Sequence, residues 1–163
     1  MTDEDTVTVF VEIPTGSRNK YEVDPSTGHI VLDRMLFTAT RYPADYGFIE
    51  GTMGGDGDPL DALVFVSEPT FPGCRIQARP VGLFRMWDEK GPDEKILCVP
   101  LRDPVWSYVQ RLDDLLPTIR REIEHFFEVY KQLEEKPSGT EGYGDRDEAW
   151  AVIREAIDRA SND

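Results

Sequence analysis

The chain has 163 residues, 39% of them hydrophobic, which favours one folded domain covering residues 1–163 over disorder. Thirty-two acidic residues against 18 basic ones give a formal net charge of −14, which argues against nucleic acid as a partner because its phosphates favour basic surfaces. The sequence has no apolar run long enough to span a bilayer, and its acidic N-terminus lacks signal-peptide features, so we expect a cytoplasmic protein with no membrane partner.

The N-terminal part of the chain shows the alternating patterns of short β-strands. Residues 7–13 alternate between apolar and more polar side chains, which is typical of a strand with one buried face. A second strand over residues 20–24 places Lys20 and Glu22 on one face. Further strands are predicted over residues 29–32, 63–66, 75–86 and 95–100. Residues 80–82 (Pro-Val-Gly) mark a bend or bulge within the long strand.

The C-terminal third carries the helical patterns. Three-to-four spacing of apolar residues predicts a helix over residues 114–134, with an inward face of Leu116, Ile119, Ile123, Phe126, Phe127, Tyr130 and Leu133. A second helix is predicted over residues 147–160, with Trp150, Ile153 and Ile157 inward and a capping box at Asp145 and Glu148. The glycine-rich residues 136–144 are predicted to be a loop. Strands followed by helices indicate an α+β fold built on a small barrel or curled sheet.

The most concentrated group of acidic residues is Asp56-Gly57-Asp58-Pro59-Leu60-Asp61. Three carboxylates so close together repel one another unless a proton or a cation joins them. Hard divalent cations, Mg²⁺ above all, bind through carboxylate oxygens, so the loop is a candidate metal site. The spacing excludes an EF-hand because Leu60 occupies the fifth position, where a ligand belongs. The alternative is a solvated acidic turn, since Asp and Gly favour turns.

Three other groups allow both a structural and a functional interpretation. Residues 88–95 form a charged hairpin loop that brings Asp88, Asp93 and Lys95 together, although such loop tips are commonly only solvated. Lys20, Glu22 and Arg34 form either a surface ion-pair group or a clamp for phosphate. Tyr42, Tyr46 and Tyr130 are each explained by core packing when taken alone.

Taken jointly, these segments resemble the soluble family I inorganic pyrophosphatases of the bacterial type. The resemblance covers residues 12 to about 133. It rests on eight motifs in order: residues 12–14 (Glu-Ile-Pro), 20–24 (Lys-Tyr-Glu-Val-Asp), 32–34 (Leu-Asp-Arg), 42–48 (Tyr-Pro-Ala-Asp-Tyr-Gly-Phe), 56–61, 79–82 (Arg-Pro-Val-Gly), 88–95 and 125–131 (His-Phe-Phe-Glu-Val-Tyr-Lys). Residues 136–145 depart from the family pattern, where a further lysine is expected after the helix.

The resemblance implies an α+β fold, a small five-stranded OB-like β-barrel flanked by two C-terminal helices. It also implies hydrolysis of pyrophosphate to two orthophosphates with several Mg²⁺ ions, for which Mn²⁺ or Zn²⁺ could substitute, and a homohexamer. Two metals can lower the pKa of a shared water from about 16 towards about 7 and direct it in line at phosphorus. Lys and Arg side chains then offset the charge of the leaving phosphate.

The resemblance also assigns residues. Asp56, Asp61 and Asp93 are similar to the ligands of the tightest metal, Asp88 and Asp93 to ligands of metals that arrive with substrate, Glu12 to a carboxylate near those metals, and Glu22 to one that acts through water. The phosphate-binding set is Lys20, Arg34, Tyr46, Lys95, Tyr130 and Lys131, with Tyr42 supporting it. We place Asp58 nearest the attacking water as the proton acceptor, with Asp93 as the rival candidate.

Two other functions compete with hydrolysis. One is an OB-like binding module for nucleic acid or a partner protein, which the acidic composition disfavours. The other is a Ca²⁺-binding protein without catalytic activity, which the acidic loop alone does not exclude.

Overall fold

A computed structural model describes residues 5–162, apart from the side chain of Lys131. The described residues form nine strands: β1 (Val7–Ile13), β2 (Asn19–Val23), β3 (Ile30–Met35), β4 (Asp45–Ile49), β5 (Asp61–Val64), β6 (Arg75–Asp88), β7 (Gly91–Pro92), β8 (Lys95–Pro100) and β9 (Ser138–Asp145). The helices are α1 (Pro117–Gln132), preceded by a 3₁₀ turn over Leu112–Asp114, and α2 (Arg146–Ser161). Among the described helices, none has the length and apolar character needed to cross a bilayer.

Five strands close into a ring in the order β1, β4, β5, β8 and β6, and β6 pairs back onto β1. All neighbours in this ring are antiparallel except β5 and β8, which run parallel. The alternation in β1 buries every second residue, as its sequence pattern predicts. The ring and its two flanking helices confirm the predicted α+β fold with a five-stranded OB-like barrel.

The long strand β6 pairs with four other strands of the described chain. These are β1, β7, β8 and β9, and the register of β6 against β8 shifts between Pro80 and Gly82. This irregularity confirms the predicted bulge, since proline cannot donate to the ladder.

Each helix completes one of two apolar clusters. Ile123, Phe126 and Phe127 of α1 pack with barrel side chains that include Phe84 and Leu97. Ala149, Ile153 and Ala156 of α2 join the other cluster, with the buried valines of β1. The two faces of the barrel wall are therefore covered by different helices.

Two residues predicted to face inward are exposed. Leu116 is 63% exposed because it precedes α1, which begins only at Pro117. Ile157 is 40% exposed because the buried stripe of α2 runs through Ala149, Ile153 and Ala156 and leaves Ile157 at its edge. Asp145 caps α2 by accepting a hydrogen bond from the Arg146 backbone N–H, so the predicted start of this helix is confirmed.

The prediction of a loop over residues 136–144 is wrong, because most of this segment forms β9. It pairs antiparallel with β6 from Gly82 to Asp88. Gly139 permits this pairing, since a Cβ there would lie 2.5 Å from the indole nitrogen of Trp87. No separate strand was predicted for β4. Its Gly47 packs so closely against β1 that a Cβ there would lie 1.8 Å from the Phe10 carbonyl oxygen.

The hairpin of β2 and β3 forms a separate two-stranded sheet. Its register places Lys20 directly opposite Arg34, and the pairing is irregular between Lys20 and Tyr21. This pairing brings two of the candidate phosphate-binding cations together on one hairpin.

Candidate active site

A buried lysine lies among the acidic residues singled out from the sequence. The Nζ atom of Lys95 donates to Asp61 Oδ2 at 3.0 Å, to the Tyr46 hydroxyl at 2.9 Å and to both carboxylate oxygens of Asp93 at 3.2 and 3.3 Å. Lys95 is only 2% exposed. Lysine is rarely buried unless it is paired, so this residue is not part of a merely solvated hairpin tip.

The barrel places these groups at one end of neighbouring strands. Strands β5 and β8 run parallel with Asp61 beside Lys95, the first residue of each strand. Tyr46 comes from β4, on the other side of β5, and Asp93 lies in the turn just before β8. Because three adjacent strands supply the cluster, its geometry depends on closure of the barrel rather than on one flexible loop.

The cluster holds more negative than positive charge. Burial alone would lower the pKa of Lys95, but the charges of Asp61 and Asp93 raise it above its usual range. Burial raises the pKa of Asp61, the Lys95 ammonium opposes this, and the Asp93 charge adds to it. The raised pKa of Lys95 follows from the two carboxylates that share its ammonium, whereas the raised pKa of Asp61 follows chiefly from burial. A buried surplus of negative charge favours the uptake of a proton or a further cation.

The aspartate loop is folded by its own hydrogen bonds. Asp56 Oδ1 accepts from the Asp58 backbone N–H at 3.0 Å, and the Gly54 N–H donates to the Asp58 carbonyl at 2.6 Å. Gly57 has a φ of +89°, a conformation that favours glycine. Asp56 and Asp58 are exposed, and Asp56 lines one cavity together with Asp61 and Asp93. The loop therefore combines a turn with carboxylates that face the site.

Within residues 5–162, no three His, Cys, Asp or Glu side chains are already arranged around one point as metal ligands. Lys95 instead lies between Asp61 and Asp93. The donors nevertheless suit a hard cation in kind, because they are carboxylate oxygens that carry uncompensated negative charge.

Glu12 is half-buried near the same cluster. Its Oε2 atom accepts a hydrogen bond from the Val23 N–H at 2.9 Å. Burial raises the pKa of Glu12 to about 7, with smaller increases from the charges of Asp61 and Glu22, against the Val23 hydrogen bond and the Lys20 charge. Glu12 thus lies within electrostatic reach of both the acidic cluster and the cations of the hairpin.

The raised pKa predicts that Glu12→Gln stabilises the metal-free protein at alkaline pH. The folded-state pKa of about 7 lies above the ordinary value of 4.5, so stability falls as the pH rises from about 4.5 to 7 and the loss persists above pH 7. Gln cannot ionise, so we expect the variant to exceed wild type by about 2 kcal/mol at pH 8 and to match it at pH 4. Urea unfolding in EDTA measures the difference.

Glu68→Gln is the control for this measurement, because Glu68 is exposed and is expected to give a small change at both pH values. A Glu12→Gln protein that is less stable than wild type at pH 8 would contradict the assigned burial of an ionised Glu12.

A second cavity, of about 450 Å³, carries the cationic side of the site. Lys20, Arg34 and Tyr130 line it, together with Asp88 from the end of β6. Lys20 Nζ lies 3.8 Å from Asp33 and 5.6 Å from the centre of the Tyr130 ring. The cavity therefore has both cations and a carboxylate, as expected for a site that takes an anion together with a metal ion.

Three tyrosines pack together in the core beside the cluster, and one of them, Tyr130, lines the cationic cavity. Tyr42 stands 5.5 Å from Tyr46 and 6.3 Å from Tyr130, measured between ring centres. Burial raises the pKa of Tyr42 and of Tyr46 well above the usual range, so both hydroxyls stay protonated. The Tyr46 hydroxyl accepts from Lys95 and also hydrogen-bonds Asp61. The core-packing interpretation holds for all three, and Tyr46 has a polar role in addition.

The other candidates are placed as follows. Glu22 is exposed on β2, within reach of Glu12 but bound to none of the cluster described above. Asp58 lines neither cavity and lies at the exposed tip of the aspartate loop. Lys131 belongs to α1, but its side chain lies outside the described residues.

Sequence reasoning missed two acidic residues that hold the site together. Arg34 forms an ion pair with Glu134, which follows α1 and joins the β2–β3 hairpin to this helix. Asp45, fully buried beside Tyr46, accepts hydrogen bonds from the backbone and side chains of Thr15 and Thr70. Glu134 lies just past the end of α1, and no local pattern in the sequence pairs it with Arg34 on the distant hairpin.

Comparisons with known proteins agree with this geometry. The sequence profile of the inorganic pyrophosphatase family matches residues 9–161. The chain is 52% identical over 159 residues to an inorganic pyrophosphatase of Methanosarcina mazei, covering 98% of this chain and 94% of the relative. It is 56% identical over 153 residues to one of Streptomyces coelicolor, covering 93% of both chains.

A solved structure extends the likeness to three dimensions. The crystal structure of the inorganic pyrophosphatase from Thermus thermophilus superimposes with a TM-score of 0.93 at 43% identity, covering 96% of this chain and 92% of that one. Sequence and fold thus agree along nearly the whole length. The chain belongs to the inorganic pyrophosphatase family.

Proposed function

We propose that the protein hydrolyses inorganic pyrophosphate to two orthophosphates in a reaction that depends on Mg²⁺. The observation that carries this proposal is the buried Lys95, whose ammonium is shared by Asp61, Asp93 and the Tyr46 hydroxyl. Acidic groups on one side and the cations of the hairpin on the other suit a metal-bound, multiply charged anion. Membership of the inorganic pyrophosphatase family supports the same reaction.

Asp56, Asp61 and Asp93 are the residues we propose to hold the tightest metal. Asp88 and Glu12 would serve further ions that arrive with the substrate, and Mn²⁺ or Zn²⁺ could replace Mg²⁺. When bound, such ions offset the negative charge of the phosphoryl oxygens and favour the ionised form of an attacking water.

Binding of the substrate is proposed to use side chains of the cationic cavity and of the Lys95 cluster. The set comprises Lys20, Arg34, Tyr46, Lys95, Tyr130 and Lys131. Tyr42 packs against Tyr46 and fixes its ring, and Glu22 is proposed to act through water. The ammonium and guanidinium groups orient the two phosphoryl groups and stabilise charge on the leaving phosphate.

Asp58 is the residue we propose to accept the proton from the attacking water. Asp93 is the alternative, but its carboxylate oxygens already accept hydrogen bonds from Lys95. Asp58 is exposed at the loop tip, beside the proposed ligand Asp56. Lys95 does not hydrogen-bond the Asp58 carboxylate as it does that of Asp93, and the exposure of Asp58 allows release of a proton to solvent.

Release of phosphate from pyrophosphate tests the proposed function. The protein with Mg²⁺ is expected to release two phosphates per pyrophosphate, and excess EDTA is expected to abolish the activity. Continued turnover in EDTA would contradict the metal requirement. A protein that gains thermal stability with Ca²⁺ but releases no phosphate would favour the non-catalytic alternative, and binding of single-stranded DNA would favour the OB-like binding module.

The cellular setting is part of the proposal. We propose a single pyrophosphatase domain over residues 1–163 that works in the cytoplasm as a homo-oligomer, with a hexamer as the expected state, and that has no nucleic-acid or membrane partner. The match of the family profile to residues 9–161 supports the single domain. Size-exclusion chromatography with light scattering measures the oligomeric state.

A further inference from the structure

The segment that carries the aspartate loop is anchored at its base. Thr52 is only 7% exposed, and its hydroxyl donates to the Ile49 carbonyl at 2.6 Å and accepts from the Leu60 N–H at 3.0 Å. The Ile49 N–H in turn donates to the Leu60 carbonyl at 2.9 Å. The two ends of the segment are therefore fixed to each other, so the position of Asp56 in its middle depends on what else holds the loop.

Helix α2 supplies a further anchor through the backbone of Met53. The Met53 N–H donates to the Ala156 carbonyl at 3.0 Å, and the Met53 carbonyl accepts from Arg159 Nη1 at 2.7 Å. Only two glycines separate Met53 from Asp56, and because glycine has no side chain, this stretch has no side-chain packing of its own to hold it. The two hydrogen bonds with α2 thus fix the chain three residues before Asp56.

Arg159 lies on the side of the cavity that holds the proposed metal ligands. This cavity, of about 260 Å³, is lined by Arg159 and by the three carboxylates proposed for the tightest metal, Asp56, Asp61 and Asp93. Arg159 also forms an ion pair with Glu155 at 3.7 Å, but the two side chains are 39% and 74% exposed, and exposed pairs of this kind contribute little. A charged donor makes a stronger hydrogen bond than a neutral one, so the contact with the Met53 carbonyl is the main fixed contact of this guanidinium.

The charge of Arg159 and its hydrogen bond act on metal binding in opposite directions. The positive charge alone works against a cation entering the same cavity, since like charges repel. The hydrogen bond works in favour of the cation if it holds a ligand in place. Removing the guanidinium therefore separates the two effects by the sign of the change in metal affinity.

We propose that Arg159 is a positioning residue for the metal site, which holds the Met53 carbonyl and thereby keeps Asp56 directed into the cavity beside the other two ligands. This inference rests on the proposed function, in which those carboxylates hold the tightest metal. Arg159 belongs to α2, beyond residues 12 to about 133, which carry the family resemblance. The last helix of the chain thus has a part in the site that none of the sequence motifs assigns to it.

The test measures Mn²⁺ binding to the substrate-free protein, by electron paramagnetic resonance of the free ion, in wild type, Arg159→Met and Arg159→Lys. Arg159→Met is expected to raise the dissociation constant of the tightest site about tenfold or more, as loss of a group that orients a metal ligand typically does. Arg159→Lys is expected to stay within about threefold of wild type, because the contact is a single hydrogen bond that an ammonium can also make. In the Asp56→Asn background, Arg159→Met is expected to add less than about twofold, since the ligand that it positions is already lost.

Arg154→Met is the matched control, since it removes one positive charge from an exposed position of α2 that does not line this cavity, and it is expected to leave the dissociation constant unchanged. An Arg159→Met protein that binds Mn²⁺ as tightly as wild type, or more tightly, would overturn the inference. An equal loss of affinity in Arg154→Met, or an undiminished loss in the Asp56→Asn background, would also overturn it. These results leave the proposed function intact, whereas a wild-type protein that binds no Mn²⁺ would overturn both. Melting temperatures in EDTA show whether a loss of affinity arises from loss of the fold.

Discussion

Replacing Asp58 with asparagine is expected to lower kcat for pyrophosphate hydrolysis by about 10²–10⁴-fold, because the amide cannot accept the proton from the attacking water. The fold should be unaffected. Asp58 is exposed, and the hydrogen bonds that it makes within the loop use its backbone N–H and carbonyl, which the substitution preserves. Phosphate release under saturating Mg²⁺ and thermal melting measure the two quantities on the same preparations.

Two further variants sharpen this test. Asp158→Asn makes the same chemical change at an exposed position of α2 and is expected to keep wild-type kcat. Asp93→Asn is expected to lose catalysis in either case, because Asp93 is also a proposed metal ligand, so the decisive result is that of Asp58→Asn. If Asp58→Asn retains more than half of wild-type kcat, the assignment of the proton acceptor to Asp58 is wrong.

Removal of the buried ammonium is expected to have the largest effect on stability. Lys95→Met leaves Asp61 and Asp93 without their shared positive charge in a buried cluster. Breaking one side of a buried charge pair typically costs about 3–5 kcal/mol, and we expect that loss in the free energy of unfolding of the metal-free protein. Activity should fall by at least about 10²-fold, since Lys95 is also proposed to bind phosphate.

Urea unfolding in EDTA measures the stability of this variant. Lys90→Met is the control, because Lys90 lies exposed on the same hairpin and its replacement is expected to change stability by less than about 0.5 kcal/mol. Adding Asp61→Asn to Lys95→Met should recover part of the loss by removing one of the unpaired carboxylates. A Lys95→Met protein within 1 kcal/mol of wild type would show that the buried pair is not a net source of stability.

Much of the barrel was predictable, because local patterns determine much of its strand structure. The alternation in residues 7–13 is a property of one segment, and β1 forms over the predicted range. The β9 strand has no such signal, because its glycines favour a loop and its pairing with β6 is a contact across distant parts of the chain. Closure of the ring was implied by the family resemblance rather than by any single pattern.

In the site, too, features set by local sequence were predictable and features set by contacts between distant segments were not. The aspartate loop was singled out from its composition, since like charges at that density demand an explanation. The burial of Lys95 could not be predicted, because a lysine at the end of a charged hairpin is normally solvated. Only the parallel pairing of β5 and β8 places Asp61 beside it. The pairing of Arg34 with Glu134 likewise depends on where a hairpin meets the end of a helix.

The central claim is that carboxylates from separate loops hold divalent cations against a pyrophosphate bound by lysine and arginine. Crystals soaked with Mn²⁺ and imidodiphosphate, a slowly hydrolysed analogue of pyrophosphate, test it through anomalous scattering. We expect Mn²⁺ peaks at the oxygens of Asp56, Asp61 and Asp93, with the analogue between those peaks and the Lys20–Arg34 pair. Analogue bound elsewhere, or a site in which these carboxylates contact no Mn²⁺, would contradict the account.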